Sequence, residues 1–344
     1  MTSLVSILIP AFNSQEWLAE TLQSAISQTW NRKEIIVVDD GSRDQTLDIA
    51  NKFASGNVRV VTQDNQGAAA ARNKALSLSQ GDYIQWLDAD DLLAPDKIAQ
   101  QMARAEMADE RRFLFSSAWG RFMYRQHKAE FVPTILWQDL TPKEWLLRKM
   151  EHNLYMQTAT WLVSRELTEA AGPWNTALLG DDDGEYFCRV LMKSEGTRFV
   201  KEAKVYYRVL GANRLSHIGH SNRKLEAQFH SMKLHICYLR SIEESDRCHA
   251  ACVRYLQNWL FHFYPERLDL VGEAEKLAVD LGGNLARPDL SWKYVWLKAI
   301  VGWGLAKRLQ LTLPMVKLAL ERFIDRMILI VEKRMHVGHS SLGS

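Results

Sequence analysis

Cysteine is scarce in this sequence. Cys188, Cys237, Cys248 and Cys252 form no Cys-x-x-Cys pair, so nothing points to a disulfide-stapled secreted domain. Cys248 and Cys252 with His249 are conceivable metal ligands, but buried thiols on a helix are the expected reading in a reducing cytoplasm. Long hydrophobic runs are missing too. No stretch reaches about 18 uncharged apolar residues, and no spanning helix is expected. No basic leader precedes the first apolar run, which Asn13 interrupts early, so the N-terminus reads as a strand and not as a signal peptide. Nor does one charge dominate: 43 Lys/Arg face 41 Asp/Glu, a net charge of +2. With no aromatic–glycine RNA-binding run and no zinc-finger spacing, nucleic acid is not an expected partner. Internal repeats and low-complexity segments are absent. What remains is an ordinary globular composition, 47% hydrophobic and 24% charged over 344 residues. That length suits two domains, or one larger domain with an appendage.

The first hundred residues alternate between strand and helix patterns. Leu4 to Ile9, Ile35 to Val38, Val58 to Val61 and Tyr83 to Leu87 read as buried strands. Between them, Trp17, Leu18, Thr21, Leu22, Ala25 and Ile26 recur at helical spacing behind a capping Ser14. Ser42 and Gln45 suit a capping box for a second helix. An alanine-rich third helix is expected over 67–79, and Pro95 is expected to open a fourth. Such a β-α-β-α-β-α-β order predicts an α/β fold with a mainly parallel sheet covered by helices. Ligands of these sheets bind beyond the carboxyl ends of the strands. Three strand ends carry the interesting loops, Pro10-Ala11-Phe12-Asn13, Asp39-Asp40-Gly41-Ser42 and Asp88-Ala89-Asp90-Asp91, which should converge on one edge. From about Arg111 to His220 the pattern is mixed and aromatic-rich, with Trp119, Trp137, Trp145, Trp161 and Trp174. After His220 it is almost wholly helical.

Asp88 and Asp90, one residue apart at a strand end, can face one ligand, and their hard oxygens suit Mg²⁺ or Mn²⁺ bridged to phosphate. Alone, Asp-x-Asp is most simply a solvated turn with a helix cap; after the fourth strand of this array, the metal reading is the better one. Gly41 permits a tight turn, and Asp40 can accept hydrogen bonds from a nucleobase imide or ribose hydroxyl, or simply make an Asx turn. Arg72, within the run Gly67 to Ala75, is placed to reach a base or diphosphate; a solvated helix face is its plainer alternative.

Taken together, the blocks Val5-Ser6-Ile7-Leu8-Ile9-Pro10-Ala11-Phe12-Asn13, Glu34 to Thr46, Asn65 to Asn73 and Tyr83 to Asp91 resemble the inverting family-2 glycosyltransferases with the GT-A fold, of the bacterial cell-surface polysaccharide type. The resemblance is strong over residues 1–110, weak over 111–220 and absent beyond. It implies that Pro10, Ala11, Phe12 and Asp40 surround the base, most often uracil. Arg72 would help hold the nucleotide, Asp88 the ribose or sugar side, and Asp90 would ligate Mn²⁺ or Mg²⁺ on the diphosphate. It also implies a general base in an acidic pair at a helix start. Gly180-Asp181-Asp182-Asp183-Gly184-Glu185 aligns Asp182 and Asp183 with that pair and Asp183 with the base. Asp182 departs from the usual Glu, and the crowding leaves the base open by one position. His217 is a weaker candidate for completing the metal or covering the diphosphate. The Gln-x-x-Arg-Trp signature of processive synthases is absent, which points to single-residue addition.

The expected organisation is a nucleotide-sugar-binding half over 1–110, an acceptor-binding half of the same GT-A domain over 111–220, and a helical C-terminal region over 221–344. The expected partners are a nucleotide-diphosphate sugar and a glycan or lipid-linked acceptor. A catalytically silent sugar-nucleotide-binding scaffold is the alternative. A nucleotidyltransferase ranks below it, because no Gly-rich phosphate loop followed by a basic residue lies near the N-terminus. In the C-terminal region Trp292, Trp296, Ala299, Ile300 and Trp303 share one helical face. Pro314 is expected to open a second helix carrying Val316, Leu320, Phe323, Met327, Ile330 and Val331. Nine Lys/Arg against three Asp/Glu lie between Trp292 and Met335. A membrane surface, the rest of the protein, or a second subunit in a homo-oligomer each suit such a face. The expected location is cytoplasmic, with a peripheral position on the inner face of the membrane if the first of these holds.

Overall fold

The computed structural model describes residues 2–107, 110–210 and 221–340. Its first half is the alternation read above: β1 (Val5–Ala11), α1 (Leu18–Ile26), β2 (Lys33–Asp39), α2 (Thr46–Lys52), β3 (Val58–Thr62), α3 (Ala68–Leu78) and β4 (Tyr83–Trp86). β1, β2 and β3 pair in parallel, and β4 runs parallel to β1 on its other side. Ile7, Ile9, Ile35 and Val37 are fully buried, as expected where helices cover both faces of a sheet.

The chain then turns back on this sheet through β5 (Leu92–Leu93), α4 (Lys97–Met107), β6 (Phe113–Phe122), β7 (Glu130–Phe131), α5 (Pro142–His152), β8 (Leu162–Ser164), α6 (Arg165–Ala171), α7 (Asp182–Lys193) and β9 (Gly196–Arg208). The described strands form one sheet in the order β3-β2-β1-β4-β8-β6-β9-β5, with β7 on β6. The long β6–β9 pairing is parallel, whereas the short β5, β7 and β8 are antiparallel to their neighbours. This is the expected α/β class with a mainly parallel sheet.

Local capping differs from expectation. The Ser14 hydroxyl donates to the Phe12 carbonyl, and it is the Ser14 carbonyl that accepts from Trp17 and Leu18. No Ser42–Gln45 capping box forms. Asp44 Oδ1 accepts from the Thr46 amide at 2.9 Å, and the Ser42 hydroxyl instead accepts from the Asn13 amide at 2.9 Å. The physical reason is the same for both serines: the loops after β1 and β2 are bonded to each other. Ser14 N–H donates to Thr46 Oγ1, and Arg43 N–H to Asn13 Oδ1. Pro95 does not open the fourth helix. It stands in the turn just before α4, which starts at Lys97, and its carbonyl is taken by the Thr29 amide.

The helices α8 (Asn222–Ile242), α9 (Asp246–Phe263), α10 (Leu268–Asp280) and α11 (Trp292–Ser340) complete the described chain. Cys248 and Cys252 are buried thiols on α9, as expected. α11 is broken at Gly302 (φ 76°), and Pro314 lies inside it rather than at a helix start. Trp303 also departs from the expected free face: it packs edge-on against Tyr264 at 4.9 Å and against Phe261. Further along, Asp325 and Glu332 bind Arg125 at 2.7 and 3.0 Å. The opposite stripe, Val316, Leu320, Phe323, Met327 and Val331, stays exposed. Among the described residues no helix is long and apolar enough to cross a membrane.

Candidate active site

The three strand-end loops meet in a cavity of about 850 Å³ lined by Pro10, Ala11, Phe12, Asp40, Asp88 and Asp90, with Asp181, Asp182 and Asp183 on its other side. Asp40 is buried, and its carboxylate accepts from Gln63 Nε2 (2.8 Å), Gln66 N–H (2.9 Å) and Gly67 N–H (2.7 Å). It thus fixes the loop that leads into α3. Gly41 lets that loop close: its φ is +70°, and a Cβ there would sit 2.9 Å from the Asn65 amide nitrogen. Pro10 and Ala11 end β1 beside Asp40, whose amide donates to the Ala11 carbonyl at 2.8 Å. Phe12 projects beyond them, half-exposed at the cavity wall.

Arg72 is not a solvated helix face. Buried and stacked 4.4 Å from the Trp174 ring, its guanidinium donates to Asp88 at 2.8 Å and to Asp182 at 2.7 Å. The strand-end aspartate and the helix-start aspartate are therefore held on one cation, from segments 110 residues apart in the case of Asp182. Asp88 keeps its Oδ2 without a hydrogen-bond partner among the described residues. Asp90 lines the same cavity, and its carbonyl accepts from Arg208 Nε at 2.8 Å.

Across the cavity, Asp181 precedes α7 in a left-handed conformation (φ 54°) and accepts from Ser231 Oγ at 2.7 Å and Gln228 Nε2 at 3.2 Å. Asp183 accepts from Thr158 Oγ1 at 3.1 Å and from the Gly184 amide at 2.9 Å. Burial pushes the Asp183 carboxyl above the ordinary aspartate range, and the neighbouring Asp181 charge adds to the rise. Burial also pushes Asp182 up to about 6, against the opposing pull of Arg72. The helix N-terminus does not outweigh burial here. Asn13, Asn153 and Asp181, the non-glycine residues with positive φ among those described, all line this cavity. Asn and Asp adopt that backbone at little cost, which lets sharp turns be placed around a site.

Several residues of the site carry no sequence signal of their own. Asp91, fully buried, accepts from Gln157 Nε2 and from the Arg208 amide, so it ties the β4 loop to the end of β9 and to the far wall. Gln157, Thr158, Lys149 and Tyr255 line that wall from segments with no motif. His217 lies outside the described residues. The tryptophans of the aromatic-rich stretch are mostly core residues: Trp119, Trp161 and Trp174 are buried, and Trp137 is half-buried against Phe199. Trp174 stacks on Tyr186 at 4.0 Å. Besides Phe12, an exposed ring in the cavity is Tyr155, 44% exposed, held by Arg121 at its hydroxyl and packed on Trp119.

Residues 6–169 match the family described as Glycosyl transferase family 2. An uncharacterized glycosyltransferase of Haemophilus influenzae is 41% identical over 102 residues, 29% of this chain and 41% of that protein. The UDP-Glc:alpha-D-GlcNAc-diphosphoundecaprenol beta-1,3-glucosyltransferase WfaP of Escherichia coli is 43% identical over 100 residues, 29% of this chain and 40% of that protein. Each match thus spans about two fifths of the relative's own length. The crystal structure of S. aureus TarS 1-349 in complex with UDP-GlcNAc shares the fold, with a TM-score of 0.65 and 19% identity over 81% of each chain.

Proposed function

From the premise that this chain carries a glycosyl transferase family 2 domain over residues 6–169, we propose that it moves one sugar from a nucleotide-diphosphate donor, a UDP-sugar, to a hydroxyl of a glycan or lipid-linked acceptor, with inversion at the anomeric carbon. One observation carries this reading. Arg72 joins Asp88 on the strand-end wall to Asp182 on the helix-start wall, so a nucleotide-side carboxylate and the candidate base loop face one volume. The UDP-GlcNAc complex named for a protein of the same fold supports a nucleotide-sugar ligand. The lipid diphosphate in the name of the E. coli relative supports a lipid-linked acceptor.

In this reading Asp183 removes the acceptor proton. Burial raises its proton affinity above that of an ordinary aspartate, which favours a base role. The acceptor oxygen attacks the anomeric carbon as the nucleoside diphosphate leaves, and no enzyme nucleophile intervenes. Asp90 and Asp88 would hold Mn²⁺ or Mg²⁺. The donor set fits a hard cation that keeps water and phosphate oxygens: two carboxylates one residue apart line the cavity, and Asp88 Oδ2 has no hydrogen-bond partner among the described residues. When bound, such an ion offsets the charge that develops on the leaving diphosphate. A donor screen tests the whole reading. Released UDP with an inverted product anomer, lost on chelation and restored by Mn²⁺ or Mg²⁺, is expected. Pyrophosphate release would make the protein a nucleotidyltransferase, and nucleotide binding without turnover a silent scaffold. Turnover undiminished in excess chelator would remove the metal.

A peripheral position on the inner membrane face is part of the same proposal. α11 is anchored to the body at Trp303 and Arg125 and exposes an apolar stripe, with Trp292 82% and Phe323 62% accessible. Its surrounding excess of Lys and Arg suits anionic headgroups. Flotation with anionic liposomes should retain the full chain and lose it at high salt. Absence of binding together with a concentration-dependent dimer would assign the stripe to a second copy.

A further inference from the structure

Lys149 lines the cavity but has no task in the reaction described above. It lies in the last turn of α5, 5% exposed, and its ammonium has no hydrogen-bond or ion-pair partner among the described residues. Burying a cation without a counter-charge is unfavourable, and folded chains rarely leave one so. The other buried lysines show the usual solution: Lys97 donates to Gln85 Oε1, and Lys307 pairs with Glu266 at 2.6 Å. Nor is Lys149 the counter-ion of the aspartate cluster. Asp182 is held by Arg72, Asp181 by Ser231 and Gln228, and Asp183 by Thr158 and Gly184. The charge of Lys149 is felt instead by His235, which burial and then Lys149 keep neutral by lowering its pKa to about 3. With His235 neutral and Arg72 already paired with Asp88 and Asp182, Lys149 is an uncompensated positive charge of this cavity among the described residues.

The same wall carries Trp145, Tyr255 and Trp259 from α5 and α9. Asp183, the candidate base, lines the same cavity. A lone ammonium beside aromatic rings suits a sugar that bears a fixed anionic group: the ammonium supplies three donors for oxyanion oxygens, and the rings pack its apolar face. We infer that Lys149 is the anion-binding residue of an acceptor subsite, and that the acceptor carries a carboxylate or phosphate where it meets this wall.

This inference rests on the transferase reading for the word acceptor, and its test is independent of turnover. The protein is titrated with UDP, then, with UDP saturating, with methyl β-D-glucuronide, glucose 1-phosphate and neutral methyl β-D-glucoside, followed by saturation-transfer NMR and calorimetry. At least one anionic probe should bind roughly tenfold or more tighter than the glucoside, as a charge-assisted hydrogen bond implies. Preference for the glucuronide identifies a uronate, and preference for glucose 1-phosphate a sugar phosphate or lipid phosphate. Lys149→Met should erase the discrimination with UDP affinity intact, and Lys149→Arg should retain part of it. Equal binding of charged and neutral probes by the wild type, or unchanged discrimination in Lys149→Met, overturns the proposal. Should Lys149→Met fail to fold, Lys149→Gln and the wild-type salt dependence decide the same question. Failure to bind UDP would overturn the transferase reading alone, since the probe comparison can be made without nucleotide.

Discussion

On the strand-end side of the cavity, Asp40 spends its carboxylate on three donors from one adjacent loop. On the other side, Asp182 and Asp183 sit in surroundings that raise their proton affinity. The first wall is locally satisfied. Around Asp40 its polar groups bond to neighbouring loops, while Asp88 keeps one carboxylate oxygen without a hydrogen-bond partner among the described residues. The second wall holds charge by long-range contacts: Arg72 reaches Asp182 from α3, Ser231 reaches Asp181 from α8, and Lys149 has no partner at all among the described residues. The difference separates two tasks. A rigid cradle serves a constant nucleotide, whereas apolar surroundings that unsettle a carboxylate serve proton removal, where a raised pKa is what makes the base effective.

If the walls divide the work in this way, replacements on the second should strike turnover and spare nucleotide affinity. Asp183→Asn keeps the shape and the bond from Thr158 but cannot accept a proton, so kcat should fall on the order of 10²-fold or more. UDP affinity, measured by calorimetry, should hardly change. A crippled Asp182→Asn beside a near-normal Asp183→Asn would move the base by one residue. On the first wall Asp40→Ala should do the reverse. It strands the Gln66 and Gly67 amides, a loss of about 1–3 kcal/mol, and weakens UDP binding roughly ten- to hundredfold. Loss of turnover with intact UDP affinity would break the comparison.

The first wall was legible in the sequence because its chemistry is local. Asp40, Asp88 and Asp90 each follow a short apolar run, and the carboxyl end of a strand is where an α/β sheet binds ligand. The caps failed for a related reason: Ser14 and Ser42 have the right residue type at a helix start, but the Ser42 hydroxyl is taken by the Asn13 amide of a neighbouring loop and the Ser14 hydroxyl by the Phe12 carbonyl, contacts that sequence spacing does not show. The second wall was legible only at Asp181–Asp183, where acidic residues open a helix. Lys149, Gln157 and Tyr255 come from separate segments, and only the fold brings them together. Periodicity located the apolar face of α11 but could not show that Trp303 belongs to the packed side.

The pH dependence sharpens the account of the second wall. Asp183 must be ionised to act as base, so activity should be present above its raised pKa and fall as pH drops through it. The acid limb should therefore lie above the ordinary aspartate range. Because Asp181 supplies the largest charge contribution to that rise, Asp181→Asn should move the acid limb to lower pH. Asn tolerates the left-handed backbone at this position and can still accept from Ser231, so the fold should survive. A pH profile of kcat/KM for the acceptor reads the shift directly. An unmoved or upward-moved limb would mean that Asp183 is not the titrating group.

The smallest effect belongs to the aromatic surface. Of the tryptophans in the aromatic-rich stretch, Trp161 and Trp174 belong to the core, the usual place for an indole that fills space well. Replacing either of these two by alanine should cost about 3–5 kcal/mol of stability and disturb donor and acceptor kinetics together. Tyr155 is an exposed ring lining the cavity, with its hydroxyl fixed by Arg121 at 2.8 Å and one face packed on Trp119. A sugar stacked on it gains on the order of 0.5–1.5 kcal/mol beyond area burial, so Tyr155→Ala should raise the acceptor KM roughly two- to tenfold. UDP affinity and melting temperature should stay close to wild type, since the ring is half-exposed and contacts Arg121 and Trp119 rather than a strand-end loop. If Tyr155→Ala leaves the acceptor KM unchanged while Trp119→Ala raises it in a stably folded protein, the platform lies one ring deeper.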